Sequence, residues 1–314
     1  MRGIALLPVS AVDAWRVISR RRPSVVIGVG GYSSGPVVLL AALRGIPTLL
    51  MEQNAMPGLT NRLLAPIVDV AAVTYQESVR FFERKAVLSG NPARPEFFSP
   101  ASAESGSAAT GAPGARDEGP PSREDGTRGR DEPSSRVVRV LVFGGSQGAH
   151  AINVAMVEAA ARLATSSPRL AVTHQTGEQD LEMVRSAYLR AGLDARVEPF
   201  LFAMDGEMRA ADLVICRAGS TTLAELAATG RASILVPLPT ATDDHQRQNA
   251  LALASHGAAR IVEQRELCGD RVAAEVLALA GDPDLRRSME TAAKALARPE
   301  AARVIVDEVL ALAR

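Results

Sequence analysis

Short apolar runs alternate with helix-like stretches along most of this chain. Residues 24–29 form an apolar strand pattern leading into Gly30-Gly31-Tyr32-Ser33-Ser34-Gly35-Pro36 and an apolar helix that reaches Arg44. Residues 47–51, 70–74 and 86–89 read as further short strands. Strands at this spacing, with helical stretches between them, predict parallel βαβ units and an α/β fold.

Residues 99–136 break the pattern. They hold no Val, Leu, Ile, Met or aromatic residue and are rich in Gly, Ser, Pro and Ala with mixed charges. Such a segment cannot bury enough apolar surface to offset the entropy of ordering it. It is expected to be a disordered insertion near a domain boundary. Its arginines suit a solvated linker or, on a second reading, contact with anionic lipid.

A second α/β run starts at Val137. The strand Val140-Leu141-Val142-Phe143 enters the turn Gly144-Gly145-Ser146-Gln147-Gly148-Ala149, and a helix pattern follows with Ile152, Met156, Ala159 and Leu163 on one face. Strands are predicted at 170–174, 213–216, 232–237 and 259–262, and helices at 180–191 and about 245–256. Residues 271–314 read as helical, with breaks near Asp282-Pro283 and at Pro299.

The turn at 144–149 carries the most chemistry. A glycine turn ahead of a helix gathers free N–H groups at the helix N-terminus, a setting that favours phosphate. Glycine lets the backbone approach a ligand, and Ser146 adds a hydroxyl donor. Packing alone is the competing reading of the same glycines. The dinucleotide fingerprint G-x-G-x-x-G fails, because Ser146 stands where its second glycine belongs.

In a parallel sheet the strand-to-helix loops share one edge, where ligands bind. Ser146, Gly219, Ser220 and Gln246 are therefore expected to line one cleft. Glu225, about a turn into its helix, could accept bonds from two ribose hydroxyls or merely offset the helix dipole. Glu52, at the end of a strand, is a weak candidate general base or a partner in a structural ion pair. Arg217 either orients the Gly219 loop or approaches phosphate, and His174 reads as a satisfied structural histidine. Trp15 with Arg16, Arg20, Arg21 and Arg22 suits a basic amphipathic surface facing anionic lipid, or a solvated helix end.

Composition narrows the classes. The chain has 314 residues, 47% of them hydrophobic, enough for roughly two domains. Only 4% are aromatic, and 35 basic residues balance 35 acidic ones, which argues against a nucleic-acid partner. Cys216 and Cys268 lack metal or redox spacing, and the four histidines show no metal-binding pair, so no metal and no cofactor are expected. No apolar run reaches the ~18 residues of a membrane span. A soluble cytoplasmic chain is expected, with a peripheral membrane face left open.

Seven motifs occur in order: Gly30-Gly31-Tyr32-Ser33-Ser34-Gly35-Pro36, Glu52-Gln53-Asn54, Gly90-Asn91-Pro92-Ala93-Arg94, Gly144-Gly145-Ser146-Gln147-Gly148-Ala149, His174-Gln175-Thr176-Gly177, Cys216-Arg217-Ala218-Gly219, and Asp244-His245-Gln246 with Asn249-Ala250. Together they resemble the MurG family of glycosyltransferases. The resemblance implies a GT-B fold, two Rossmann-like domains with parallel sheets facing across a cleft. It implies inverting transfer of GlcNAc from UDP-GlcNAc to the C4 hydroxyl of undecaprenyl-pyrophosphoryl-MurNAc-pentapeptide, converting lipid I to lipid II. It also implies a peripheral enzyme on the cytoplasmic side of the cell membrane, within reach of an anionic membrane surface and a cell-wall synthesis complex.

The same resemblance assigns residues. Ser146, with Gln147 beside it, and Arg94 are expected at the diphosphate, and Leu201 and Met204 near uracil. Glu225 is expected on the ribose hydroxyls, and Gly219 and Ser220 are expected to bind substrate beside it in the cleft. Asn54 and Gln246 are expected at the GlcNAc hydroxyls. His245, which stands where some members have glutamine, and Asn249 are expected to bind substrate. Gly30, Gly31 and Tyr32 are expected in an acceptor-facing loop. Residues 1–98 then form an acceptor domain, completed by a C-terminal helix at about 299–314, and residues 137–298 a donor domain. The family usually opens with a strand and Gly-Gly-Thr-Gly-Gly-His. Two βα units, on the order of 60–80 residues, are therefore expected upstream of Met1, leaving the acceptor domain incomplete as written. Another GT-B nucleotide-sugar enzyme, such as a UDP-GlcNAc 2-epimerase, and a non-catalytic UDP-sugar-binding protein are the alternatives.

Overall fold

The computed structural model describes residues 7–31, 33–99, 137–145 and 147–314, with side chains from Ser10 onward. Tyr32, Ser146 and residues 100–136 of the expected insertion lie outside the described residues.

Among the described residues the strands form two parallel sheets. The first holds β1 (Val26–Gly28), β2 (Thr48–Glu52), β3 (Val70–Val73) and β4 (Ala86–Leu88), in that spatial order. The helices α1 (Leu7–Arg21), α2 (Ser34–Leu43), α3 (Leu59–Leu64) and α4 (Gln76–Phe82) accompany it. Alternate residues of β2 serve opposite faces, as the pleat requires. Leu50 joins Val38, Val73 and Phe82 in one core, while Leu49 packs with Ala72 on the other side.

The second sheet is built around β5 (Val138–Phe143). Its other strands are β6 (Leu170–Gln175), β7 (Ala195–Glu198), β8 (Leu213–Cys216), β9 (Ser233–Leu235) and β10 (Ala259–Ile261). Helices α5 (His150–Ala164), α6 (Leu181–Ala191), α7 (Met204–Ala210), α8 (Ser220–Thr229), α9 (His245–Ser255), α10 (Gly269–Gly281) and α11 (Pro283–Ala295) cover its faces. Val140, Leu141 and Val142 of β5 are all buried, because a central parallel strand has core on both sides. The strand order is β10-β9-β8-β5-β6-β7. The winding direction reverses between β5 and β8, which opens a crevice at their carboxyl ends.

The two proline breaks near the C-terminus have physical causes. Asp282 caps α11 by accepting from the Leu285 N–H at 2.9 Å, and Pro283 takes the first helical position, where no N–H is needed. A last helix, α12 (Ala301–Leu312), follows Pro299 and returns to the first sheet, where Ile305 packs with Leu49 and Ala72. One strand was missed by pattern. Only Val197 of β7 is buried, so this edge strand lacks an apolar run.

Candidate functional site

The turn between β5 and α5 sits at the crevice and is locked from below. Gly148 has φ +77°, and a Cβ there would lie 1.8 Å from the Thr176 carbonyl oxygen. Gly177 has φ +76°, and its Cβ would lie 2.3 Å from the Gln147 carbonyl oxygen. The two turns therefore interlock at a distance that only glycine permits. Gln175 ties the assembly sideways. Its Nε2 donates to the Gly145 carbonyl at 2.7 Å, and its Oε1 accepts from the Leu201 N–H at 2.9 Å. The motif containing Gln175 was visible in the sequence, but this cross-link was not, because it joins residues on three separate segments.

A buried polar network supports the same floor. Asn153 Nδ2 donates to the Thr176 carbonyl at 2.9 Å and to the Asp180 carboxylate at 2.8 Å. That fixes its Oδ1 as the acceptor for His174 Nε2–H at 3.0 Å, leaving His174 Nδ1 to accept from the Tyr188 hydroxyl at 2.7 Å. Burial pushes the His174 imidazole down to about 3, so the ring is neutral. The structural reading of His174 is the one the geometry supports.

On the far side of the crevice, Gly219 caps α8 and Ser220 begins it. Arg217 donates to the carbonyls of Val236 and Pro237 at 3.1 and 3.3 Å, so it braces the loop after β9. Glu225 lies on α8 with its side chain 13% exposed, and Arg94 Nη2 stands 3.9 Å away. Burial raises the Glu225 carboxyl above the usual range, and the Arg94 charge opposes that rise. The Arg94 guanidinium also stacks over the Phe97 ring, 4.9 Å from its centroid.

Leu201 is buried in the core beside α7 and α8, with Met204 partly buried against it. The same segment exposes two aromatic residues that pattern reading passed over. Phe200 and Phe202 pack edge to face at 5.1 Å, and Phe202 is 91% exposed. These two phenyl rings, unlike Leu201, face outward. Gln147 lies exposed at the turn, and Gln246 accepts from the Leu238 N–H at 3.0 Å.

Across the cleft, Gly30, Gly31, Glu52, Gln53, Asn54, Gly58 and His245 line a cavity of about 260 Å³. The structure gives Glu52 a different role from that of a base. Its Oε1 accepts from the Asn54 N–H and Nδ2 at 3.0 and 3.2 Å. Its Oε2 accepts from the Gly58 N–H at 3.1 Å and Asn61 Nδ2 at 2.8 Å. Four donors occupy the lone pairs of a side chain that is 2% exposed, leaving none directed at a substrate hydroxyl. Its partners are backbone and amide groups, so the ion-pair reading also gives way.

Asn54 and Asn249 meet each other, with Asn249 Nδ2 donating to Asn54 Oδ1 at 3.1 Å. His245 opens α9 beside Gly58, and its buried Nδ1 has no hydrogen-bond partner. Among the described residues no group of three His, Cys, Asp or Glu side chains could hold a metal ion, and no helix is long and apolar enough to cross a membrane.

Known proteins resemble this chain over nearly its whole length. Residues 139–305 match the glycosyltransferase family 28 C-terminal domain, and residues 3–73 match the N-terminal domain of the same family. A UDP-N-acetylglucosamine--N-acetylmuramyl-(pentapeptide) pyrophosphoryl-undecaprenol N-acetylglucosamine transferase from Pelobacter propionicus is 46% identical over 99% of this chain and 80% of its own length. Its counterpart from Myxococcus xanthus is 42% identical over 98% of this chain and 73% of its own length. The crystal structure of Acinetobacter baumannii MurG superposes with a TM-score of 0.75 at 32% identity, covering 96% of this chain and 78% of that one.

Proposed function

We propose that this chain, which belongs to glycosyltransferase family 28 and within it to the MurG enzymes, transfers GlcNAc from UDP-GlcNAc to lipid I and so forms lipid II in peptidoglycan synthesis. The two parallel-sheet units form the GT-B fold, and the chain is an N-acetylglucosaminyltransferase. The observation that carries the substrate reading is the conjunction, around one crevice, of an interlocked glycine turn at the α5 N-terminus and a shielded carboxylate on α8.

The donor fits that crevice by charge and by hydrogen bonding. The diphosphate takes the turn at 144–149, where N–H groups converge on the positive end of α5. Ser146 and Arg94 are assigned to it from the family motif. Glu225 accepts from the two ribose hydroxyls, and the 200–204 segment flanks the base. Gly219 and Ser220 shape the start of α8 beside the ribose, and Gln246 faces the sugar.

In the reaction the acceptor C4 oxygen forms a bond to the anomeric carbon as the bond from that carbon to the β-phosphate oxygen breaks. The acceptor hydroxyl loses its proton, and UDP leaves with the electron pair. Negative charge grows on the diphosphate, where helix amides are already oriented and need no reorganisation to meet it. Displacement from the face opposite UDP inverts the anomeric centre.

The lipid-linked acceptor places the enzyme at a membrane surface. On α1, Val12 and Trp15, three positions apart and so on one face, are each about half exposed, and Arg20 and Arg21 end the helix. This face supports a peripheral, interfacial contact with anionic lipid. Flotation with anionic liposomes should recover the wild type, and W15A should float less; equal recovery of both removes Trp15 from the contact.

The function is tested by mixing the chain with UDP-GlcNAc and following UDP release with and without a lipid I analogue. Release that requires the acceptor supports transfer. Release without it, or none at all, contradicts it.

A further inference from the structure

Asn249 sits on α9 of the donor half, 1% exposed, and reaches across the cleft. Its Oδ1 accepts from the Ala55 backbone N–H at 2.8 Å, a bond between residues 194 positions apart. Its Nδ2 donates to Asn54 Oδ1 at 3.1 Å and, at a longer 3.4 Å, to the Ala218 carbonyl next to the α8 cap. The orientation of each amide is forced. Ala55 N–H can only donate and Ala218 carbonyl can only accept, which sets Asn249. Asn54 Nδ2 faces the Glu52 carboxylate, which sets Asn54 and turns its Oδ1 toward Asn249.

The acceptor-side turn is otherwise rigid. Glu52 grips it at the Asn54 and Gly58 N–H groups, and Ser78 Oγ donates to the Asn54 and Ala55 carbonyls at 2.8 and 3.0 Å. The donor-side turn at 217–220 is held by Arg217 and runs into the helix that carries Glu225. A continuous hydrogen-bonded line thus runs Glu52, Asn54, Asn249, Ala218, from the acceptor cavity to the start of α8.

We propose that Asn249 is a positioning residue that fixes the register between the two halves, and not a contact to the donor sugar. It holds the acceptor cavity at a set distance from the donor site, so that the attacking hydroxyl meets the anomeric carbon in line. This rests on the transferase reading above. A buried amide in a low-dielectric seam suits such a task, since a mispaired alternative leaves polar groups orphaned.

The near-isosteric N249D variant tests it. Aspartate still accepts from Ala55 N–H but sets oxygen against Asn54 Oδ1 and the Ala218 carbonyl. Calorimetric UDP affinity and the KM for UDP-GlcNAc should stay within about twofold, while kcat falls about tenfold or more, because small misplacements at a reacting centre are costly. The N54A/N249A double variant should be no slower than the worse single variant, since both break one link. A tenfold rise in the UDP-GlcNAc KM, or an unchanged kcat, overturns the proposal. An independent arm needs no turnover: in N249A, hydrogen exchange of the peptide containing Ala55 should quicken in the ligand-free protein, and unchanged exchange overturns the link. If the wild type binds UDP but transfers nothing to a lipid I analogue, the transferase reading fails while the exchange arm still decides the link.

Discussion

The Arg94 guanidinium stands 3.9 Å from the Glu225 carboxylate. One residue belongs to the motif after β4 and the other to α8, so the pair joins two assignments made separately, diphosphate and ribose. Burial favours the neutral form of Glu225, and Arg94 favours the charged one. The proposed ribose contact needs the charged form, whose two oxygens are both free to accept.

E225A should therefore weaken UDP binding about tenfold to a hundredfold, the scale of about 1–3 kcal/mol for hydrogen bonds to a charged group. UDP affinity should fall as pH drops and Glu225 takes a proton. In R94A the opposing charge is gone, so that fall should begin at higher pH. Calorimetric titrations of UDP across pH check both; an unchanged affinity in E225A removes Glu225 from the donor site.

The glycine turn makes a sharper steric prediction. A methyl group at Gly148 would meet the Thr176 carbonyl oxygen at 1.8 Å, whereas at Gly145, also at positive φ, it would meet nothing within 4 Å. G148A should cost at least ~2 kcal/mol and most UDP affinity, and G145A about 1 kcal/mol of backbone strain. Urea unfolding of both variants measures the difference. Equal costs would mean that the two turns do not interlock.

His174 ties stability to pH. Unfolded, the imidazole takes a proton below about 6.5, but the folded site resists it down to about 3. Between those values the unfolded state binds more protons. Stability is therefore fully present above pH 6.5 and declines as pH falls toward 3, by at most about 1.4 kcal/mol per pH unit from this group. Y188F removes the hydroxyl that His174 Nδ1 accepts from and should cost about 1 kcal/mol at pH 7.5. Denaturant curves at several pH values, with an H174F comparison lacking that slope, check it.

Glu52 is predicted to hold a turn, not to move a proton. In E52Q an amide N–H₂ would face two donors, disordering the Asn54–Gly58 turn. The variant should lose about tenfold in kcat, yet keep the wild-type shape of its pH–rate profile. Loss of the acidic limb of that profile would restore Glu52 as a base.

The alternation of strand and helix, the turn at 144–149 and the α8 cap were legible because each is local: neighbours in sequence make the feature. Glu52 was legible as a carboxylate at a strand end, but its role was not. That depends on Gly58 and Asn61, brought back onto it by the turn and α3. The edge strand β7 escaped because a single buried valine carries no period. The Asn153–His174–Tyr188 network and the Asn249–Ala55 bond escaped because their partners meet only when whole elements pack. The exposed Phe200 and Phe202 were overlooked because aromatic identity alone does not distinguish a core ring from a surface one.

The central claim is best tested by isolating the product formed from UDP-GlcNAc and a soluble lipid I analogue and assigning its new linkage by NMR. A β-linked GlcNAc on the C4 oxygen of the MurNAc residue, formed one for one with UDP, is the predicted result. An unglycosylated acceptor, an α-linkage, or UDP-GlcNAc epimerised at C2 would contradict it.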